Sequence, residues 1–358
     1  MINKNRLIKN FCELVKIDSP SGNEDLISSH LKNRLECLGL EVISDNYGNL
    51  IAIDGGENPL MLSAHMDTVE PGRNIHPSIV DNRIVSDQTT ILAGDCKSGI
   101  SAILEGIESL KENHIPHRPV EVVFTRDEEM GLVGAHNLDF SKIRSKEAII
   151  FDGEGPCSQI TSSSPTYISF DIQITGKAAH AGMEPEKGLS AIKIAAGLIS
   201  KIPQGRIDAE TTSNIGIIDG GSARNAVPES VTIKGEFRSS NEKMLESLNL
   251  QFKQTITETE KLYPEAEIET NMETDFEYYF LDPDDKFLQT VKTTLLKMDL
   301  DPKMQPSGGG TDGNVFRKKG IDAVVIGMAT YNMHTVREYV SINELVDASR
   351  LCETLLTY

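Results

Sequence analysis

Two histidines and three acidic residues lie where predicted strands end or turn, and they are spread over most of the chain. They are His65, Asp95, Glu129, Asp152 and His334. Imidazole and carboxylate groups bind zinc and similar divalent metals, and five of them suit a pair of ions that share one bridging carboxylate. Active sites of α/β folds gather at the carboxyl ends of strands, so we expect these side chains to converge. The pattern predicts a hydrolase that uses two metals.

The residues around these side chains form ordered motifs. From the amino end they are H-M-D at residues 65–67, G-D-C-K-S-G at 94–99, T-R-D-E-E-M-G at 125–131, F-D-G at 151–153, G-G-T-D-G at 309–313 and the late His334. In this order, and over nearly the whole chain, the sequence resembles the M20 family of metallopeptidases. The segments T-I-L at 90–92, G-K-A-A-H-A-G at 176–182 and T-S-N-I-G at 212–216 make it similar to the peptidase T-like members. One H-x-D alone would be a weak signal, whereas six ordered motifs are improbable by chance.

The resemblance implies a division of labour among the five side chains. Asp95 lies in the motif that carries the family's bridging aspartate. His65 and Asp152 would complete one metal site, and Glu129 and His334 would complete the other. The implied cofactors are two Zn²⁺ ions per chain, although Co²⁺ or Mn²⁺ could occupy the same ligands.

Asp67 and Glu128 have predicted roles beside the ligands. Asp67 follows His65 by two residues on an extended segment, so both point to the same side and Asp67 could accept the second ring N–H of the histidine. A turn-capping aspartate is the plainer alternative. Glu128 and Glu129 are adjacent and cannot both face one way on an extended chain. The resemblance implies that Glu129 binds metal and that Glu128 is the general base for a water molecule between the metals. Cys96 is interpreted as a packing residue.

His180 lies between small residues in A-A-H-A-G, which predicts an exposed turn. The resemblance implies that this histidine polarises the substrate carbonyl, often from the partner subunit, as half of an oxyanion hole. A surface histidine is the alternative.

Substrate-binding residues are expected in a loop at residues 220–228 and on the strand that follows it. The resemblance implies that Asn225 and Arg238 hold the backbone or the carboxylate of the substrate, and an arginine can bind a carboxylate through two hydrogen bonds. Arg224 is a further candidate that could shift specificity, with a solvated loop arginine as the equal alternative.

A second loop, around Gly309, Gly310 and Thr311, is rich in glycine. It lacks the lysine of a nucleotide-binding loop. Glycines permit close approach of a substrate backbone, and exposed amides can bind a carboxylate. We therefore count these residues as substrate-binding candidates.

The order of predicted elements indicates an α/β fold with an insertion. Strands and helices alternate in the first part, which predicts a mixed, mostly parallel sheet flanked by helices, as in zinc exopeptidases. The middle part has the β-α-β-β-α-β order of a ferredoxin-like α+β unit. We predict a catalytic domain in two parts, residues 1–163 and 275–358, with an inserted domain at residues 164–274 that the resemblance implies is a lid or dimerisation domain. The lid is expected to hinge near residues 162–165 and 274–276, and a homodimer through this domain is one arrangement that the resemblance implies.

Composition narrows the class of protein. The net charge is −19, which argues against a nucleic-acid partner because such a partner favours a basic face. No apolar run approaches the length of a membrane span. Five dispersed cysteines argue against a disulfide framework and favour a reducing compartment, so the cytoplasm is the expected location.

Three functions remain open from the sequence. The first is a dizinc exopeptidase that hydrolyses short peptides, such as di- or tripeptides. The second is an N-acyl amino acid deacylase or amidohydrolase, which uses the same metal chemistry on another acyl group. The third is an idle scaffold that retains the fold, although a complete ligand set and Glu128 argue against it.

Overall fold

A computed structural model describes residues 1–357 of the chain. The chain forms two compact units. The first contains Met1–Ser163, Phe280–Ser307 and residues 311–357, and the second contains Ser164–Tyr279 and Gly308–Gly310. The second unit extends past the predicted boundary at residue 274 because the strand Glu267–Phe276 stays paired with Thr166–Thr175 to its last residue.

A mixed sheet forms the centre of the first unit. Leu60–His65 pairs in parallel with Val120–Thr125 on one side and with Glu147–Gly153 on the other. Asp322–Gly327 extends the parallel part beside Glu147–Gly153, whereas Leu50–Ile53 joins the far side antiparallel to Val120–Thr125. The parallel strands are almost continuously buried, as expected for a sheet covered on both faces. The predicted mixed α/β sheet is confirmed. The other strands of this sheet are Glu41–Ser44, Gln159–Ser164, Tyr279–Phe280 and Lys303–Pro306.

Helices flank this sheet. They are Lys4–Leu14, Asp25–Cys37, Gly94–Glu112, Val133–His136, Lys286–Lys297, Asp312–Lys318 and Ile342–Leu356. The helix Gly94–Glu112 is packed on two sides through glycines. A Cβ at Gly99 would lie 2.6 Å from Cβ of Phe151 on the sheet, and a Cβ at Gly106 would lie 2.6 Å from Cβ of Cys352. This helix therefore lies between the sheet and the carboxyl-terminal helix. Among residues 1–357, no helix combines the length and the apolar character needed to cross a bilayer.

A small antiparallel sheet, absent from the sequence prediction, lies in the first unit. Its strands are Ser78–Val80, Arg83–Val85, Thr330–Tyr331 and Tyr339–Ser341. The strands have only two or three residues each, which is too short for a recognisable alternation of apolar side chains. This sheet joins the segment after His334 to the segment that leads to Asp95.

The predicted strand ahead of Asp95 is incorrect. Residues 90–93 have no strand pairing, and Asp95 lies instead in the first turn of the helix Gly94–Glu112. The main-chain amides of Leu92 and Ala93 donate to the carboxylate of Glu338 rather than to a neighbouring strand. Ala93 also has a left-handed backbone, with φ of 60°.

The second unit has the β-α-β-β-α-β order that the sequence predicts. Its strands and helices are Thr166–Thr175, Ala191–Ile199, Thr211–Gly220, Ser230–Ser239, Glu242–Leu262 and Glu267–Phe276. These four strands and the short strand Gly205–Arg206 form a five-stranded antiparallel sheet. Gly205–Arg206 lies at one edge, paired with Thr211–Gly220, and Glu267–Phe276 lies at the other edge. The helices cover one face through a core that includes Phe170, Phe237 and Phe252. Short strands Ala179–His180 and Ala226–Val227 pair beside this sheet.

Candidate metal centre

His65 ends the strand Leu60–His65, and both of its ring nitrogens have polar neighbours. Nδ1 lies 2.9 Å from the main-chain carbonyl of Asp67, so this nitrogen carries the proton and donates it. Nε2 points the other way, 3.0 Å from Oδ1 of Asp95 and 3.6 Å from Oδ1 of Asp152. The imidazole thus presents Nε2 to the group of carboxylates.

Asp95 lies between the two histidines. Its Oδ1 is 3.0 Å from Nε2 of His65, and its Oδ2 is 3.2 Å from Nε2 of His334. Nε2 of His334 is also 3.0 Å from Oε1 of Glu129. Potential ligand atoms form three groups, and two of them share Asp95: one contains His65, Asp152 and Cys96, and the other contains Glu129 and His334. The third group contains His65, Glu128 and Glu129. The structure brings all five predicted side chains together.

The electrostatics of this cluster suit a bound cation. Burial raises the pKa of Asp152 to about 7, helped by the nearby charge of Asp95. Burial and the charge of Asp152 raise the pKa of Glu128 well above its usual range. Burial would also raise the pKa of Asp95, but its close contacts with the rings of His334 and His65 outweigh burial and hold that pKa well below its usual range. Carboxylates crowded in a buried site repel one another, and divalent cations relieve that repulsion. The donor set therefore fits divalent metals.

Asp67 is fully buried and connects several parts of the site. Its Oδ1 lies 3.2 Å from Nδ1 of His65. The same oxygen accepts the main-chain N–H of Glu128 at 3.0 Å, and Oδ2 accepts that of Glu129 at 3.2 Å. The hydroxyl of Ser21 donates to Oδ2 at 2.7 Å. Asp67 thus contacts the histidine and also holds the backbone of the glutamate pair, and Ser21 is a supporting residue that the sequence did not reveal.

The glutamate pair lies on a turn of 3₁₀ helix, Glu128–Met130, rather than on an extended segment. Left-handed residues bound this turn, with φ of 48° at Asp127 and 98° at Gly131. The side chain of Glu129 reaches His334, and Glu128 is 8% exposed within the cluster.

Cys96 is buried, and its Sγ lies within ligand range of His65, Asp95 and Asp152. Sγ donates to the main-chain carbonyl of Phe151. Burial raises the pKa of the thiol well above its usual range, which favours the protonated form. These contacts agree with a packing residue.

In the second unit, the predicted catalytic residue His180 lies beside the predicted substrate-binding residue Asn225. His180 is paired with Ala226 in a short antiparallel ladder, and the amide of Ala181 donates to the carbonyl of Asn225 at 3.0 Å. Nδ1 of His180 accepts the amide of Gly182 at 3.2 Å. A neutral imidazole that accepts at Nδ1 carries its proton at Nε2, so His180 presents an exposed N–H donor. Arg224 is exposed on the adjoining loop.

Arg238 already has a carboxylate partner within the second unit. Its Nε and one terminal nitrogen contact the two oxygens of Glu236 at 3.0 and 3.1 Å, and the other terminal nitrogen donates to the carbonyl of Gly308. The guanidinium stacks on Tyr167 at 4.5 Å, and Tyr167 stacks on Phe276. Sequence reasoning missed Glu236 and Tyr167; the two-residue spacing of Glu236 and Arg238 on one strand is the signal that could have found the first.

The glycine-rich loop differs in part from its prediction. A Cβ at Gly310 would lie 2.4 Å from the ring of Phe276, so a protein side chain makes the close approach at this glycine. The carbonyl of Gly309 accepts the hydroxyl of Ser164 at 2.8 Å. Thr311 caps the helix Asp312–Lys318: its hydroxyl oxygen accepts the amide of Gly313, and the side-chain oxygen of Asn314 accepts the amide of Thr311. The open space that we predict for a substrate backbone is therefore not found at Gly310.

Comparisons with known proteins agree with this architecture. Residues 163–264 match the family described as Peptidase dimerisation domain, and residues 49–155 match Peptidase family M28. The Bacillus subtilis protein YqjE is 37% identical over 99% of both chains.

Solved structures show the same similarity. The aminopeptidase PepT from Bacillus cereus is 37% identical, with a TM-score of 0.86 over 99% of this chain and 98% of its own. A tripeptidase from Staphylococcus aureus is 33% identical, with a TM-score of 0.90 over 100% and 98% of the two chains. The chain belongs to the M20 family of metallopeptidases, within its peptidase T-like group.

Proposed function

We propose that this protein is a dinuclear metal exopeptidase that removes the amino-terminal residue from short peptides, tripeptides among them. One observation carries the metal-dependent chemistry: Asp95 presents one carboxylate oxygen to each of two histidines, and each histidine has a further carboxylate beside it. The peptide substrate is supported by the similarity to an aminopeptidase and to a tripeptidase over nearly the full length of the chain.

Two metals would be held by the residues of this cluster. His65 and Asp152 would bind the first and Glu129 and His334 the second, with Asp95 shared between them. We propose Zn²⁺, with Co²⁺ or Mn²⁺ as other ions that the same ligands accept. When bound, such ions activate water as a nucleophile and polarise the scissile carbonyl group.

The side chains around the metals would manage protons and orientation. Glu128 would take a proton from the attacking water at a carboxylate oxygen and deliver it to the leaving amine. The bond from its amide to Asp67, together with burial, gives Glu128 a defined position. Asp67 would keep His65 in the tautomer that leaves Nε2 free for metal, because Nδ1 donates to the carbonyl of Asp67.

Residues of the second unit would contact the peptide. The exposed Nε2–H of His180 can donate to a substrate carbonyl oxygen, and Asn225 lies on the loop beside it. Arg238 can release Glu236 and bind the carboxylate of a substrate instead. The two acceptors are chemically alike, and the Arg238–Glu236 pair is partly exposed. We also propose a cytoplasmic homodimer; the match to a peptidase dimerisation domain supports the dimer, and five free cysteines support a reducing compartment.

A substrate screen with metal analysis tests this function. Protein loaded with Zn²⁺, and the same protein after chelation, is incubated with di-, tri- and tetrapeptides, with tripeptides blocked at either terminus, and with N-acyl amino acids. We expect metal-dependent release of the amino-terminal residue, which stops when that terminus is acetylated. Preferential cleavage of N-acyl amino acids would assign the deacylase function instead. If metal-loaded protein turned over none of these substrates, the protein would be assigned as a scaffold without catalytic activity.

A further inference from the structure

Glu338 is a buried carboxylate that the proposed mechanism does not use. Its side chain is in the first unit, and the residue is 1% exposed. One oxygen accepts the amides of Leu92 and Ala93 at 2.7 and 2.8 Å, and the other accepts the amide of Asp95 at 3.0 Å. A buried charge is costly unless it is well hydrogen-bonded, and here both oxygens are used. Glu338 is therefore not available as a metal ligand.

The three amides lie at the start of the helix that carries Asp95: Leu92 and Ala93 precede its first residue, Gly94, and Asp95 follows it. The cap residue, Ala93, has no side chain that can accept a hydrogen bond, and Asp95 has a non-helical backbone with ψ of 107°. Amides at a helix start lack partners within the helix and attract negative charge. Glu338 provides that acceptor from a position 243 residues away in the sequence.

The segment that carries Glu338 also carries His334. The amide of Glu338 donates to the carbonyl of Thr335 at 3.0 Å, which closes a turn between the two residues. The strand Tyr339–Ser341 then anchors the segment in the small antiparallel sheet. His334 contacts the side chain of Asp95, while Glu338 contacts its backbone. Residues 334–338 thus contact both the side chain and the backbone of Asp95.

We propose that Glu338 is a positioning residue that sets the place of Asp95 relative to His334, and through it the affinity of the metal centre. This inference rests on the proposed metal site. Groups that orient metal ligands typically change metal affinity by about 10–100-fold when they are removed. Glu338 would act in this way on the shared carboxylate without touching a metal or the substrate.

The variant Glu338→Gln tests this role. A glutamine has one carbonyl oxygen and an NH₂ group, so its NH₂ would face at least one main-chain N–H, donor against donor. The matched control is Glu121→Gln, because Glu121 is also fully buried in the first unit and accepts the amides of Arg144 and Ser145. If Glu338 only stabilised the fold, Glu338→Gln and Glu121→Gln would have the same effect on metal binding.

Competition with a chromophoric chelator measures Zn²⁺ affinity, and the absorption spectrum of the Co²⁺-loaded protein reports the ligand geometry. The melting temperature of metal-free protein is the control for stability. We expect Glu338→Gln to weaken Zn²⁺ binding by about 10–100-fold and to alter the Co²⁺ spectrum, while Glu121→Gln keeps wild-type values for both. Wild-type affinity and spectrum in Glu338→Gln would overturn the inference and leave the proposed function standing. Failure of the wild-type protein to bind Zn²⁺ would overturn both.

A measurement on the wild-type protein covers the case in which Glu338→Gln does not fold. Amide hydrogen exchange of metal-free protein should be slow at Leu92, Ala93 and Asp95, since their N–H groups are bonded to Glu338 before any metal arrives. Rapid exchange at these amides without metal, and protection only on adding Zn²⁺, would show that the metal orders this turn and that Glu338 does not.

Discussion

His334 and Asp95 are 239 positions apart in the sequence, yet Nε2 of His334 lies 3.2 Å from Oδ2 of Asp95. The other oxygen of Asp95 is 3.0 Å from His65, so the carboxylate has one histidine on each side. This arrangement makes Asp95 the side chain on which both proposed metal positions depend, whereas His334 serves only one of them.

Metal stoichiometry should follow that asymmetry. We expect two Zn²⁺ ions per wild-type chain, loss of both from Asp95→Ala, and retention of one in His334→Ala. Elemental analysis after dialysis against a weak chelator measures the ions per chain. A single ion in wild-type protein saturated with zinc, or two ions in Asp95→Ala, would show that Asp95 is not shared.

Glu128→Gln should lower kcat while both metals stay bound. The amide cannot accept the proton of water, and a general base typically contributes about 10²–10⁴ in rate. Steady-state kinetics on a tripeptide and elemental analysis of the same sample provide the two readings. Glu129→Gln is the matched comparison, because the neighbouring residue contacts His334 and should lose metal together with activity. Near-normal turnover in Glu128→Gln would show that Glu128 is not the general base.

His180→Ala should also lower kcat without loss of metal. Its Nε2–H is proposed to bond the carbonyl oxygen as charge develops there, and one such donor is typically worth about 10²–10³ in kcat. The control is Lys193→Ala, an exposed residue on a helix of the same unit. Equal kcat values for His180→Ala and the control would show that His180 takes no part in the reaction.

Two glycine-to-alanine changes in helices should shift stability in opposite directions. Gly106→Ala would place a Cβ 2.6 Å from Cβ of Cys352, and such overpacking typically costs about 1–3 kcal/mol. Gly197→Ala, in the helix Ala191–Ile199, meets nothing within 4 Å and should stabilise by about 0.4–1 kcal/mol. Melting temperatures of the two metal-free variants measure the effect, and a lowered value for Gly197→Ala would contradict the open space at that position.

Much of this protein was predictable from local sequence because the relevant signals are local. Apolar runs such as residues 148–151 identify strands, since a parallel strand covered on both faces is mostly apolar. The order of elements between residues 166 and 276 predicts the second unit. The five proposed ligands could be chosen because their residue types and motifs are visible without knowledge of the fold.

The tertiary structure decided the features that depend on pairs of residues distant in sequence. No local pattern connects Glu338 with the amides at Leu92 and Ala93, and these bonds replace the predicted strand by a helix start. The carboxylate of Glu236 beside Arg238 and the ring of Phe276 against Gly310 are likewise visible only after folding. A backbone amide will bond whichever acceptor the fold places near it, so residue type alone shows that a partner is required, and three-dimensional proximity determines which residue provides it.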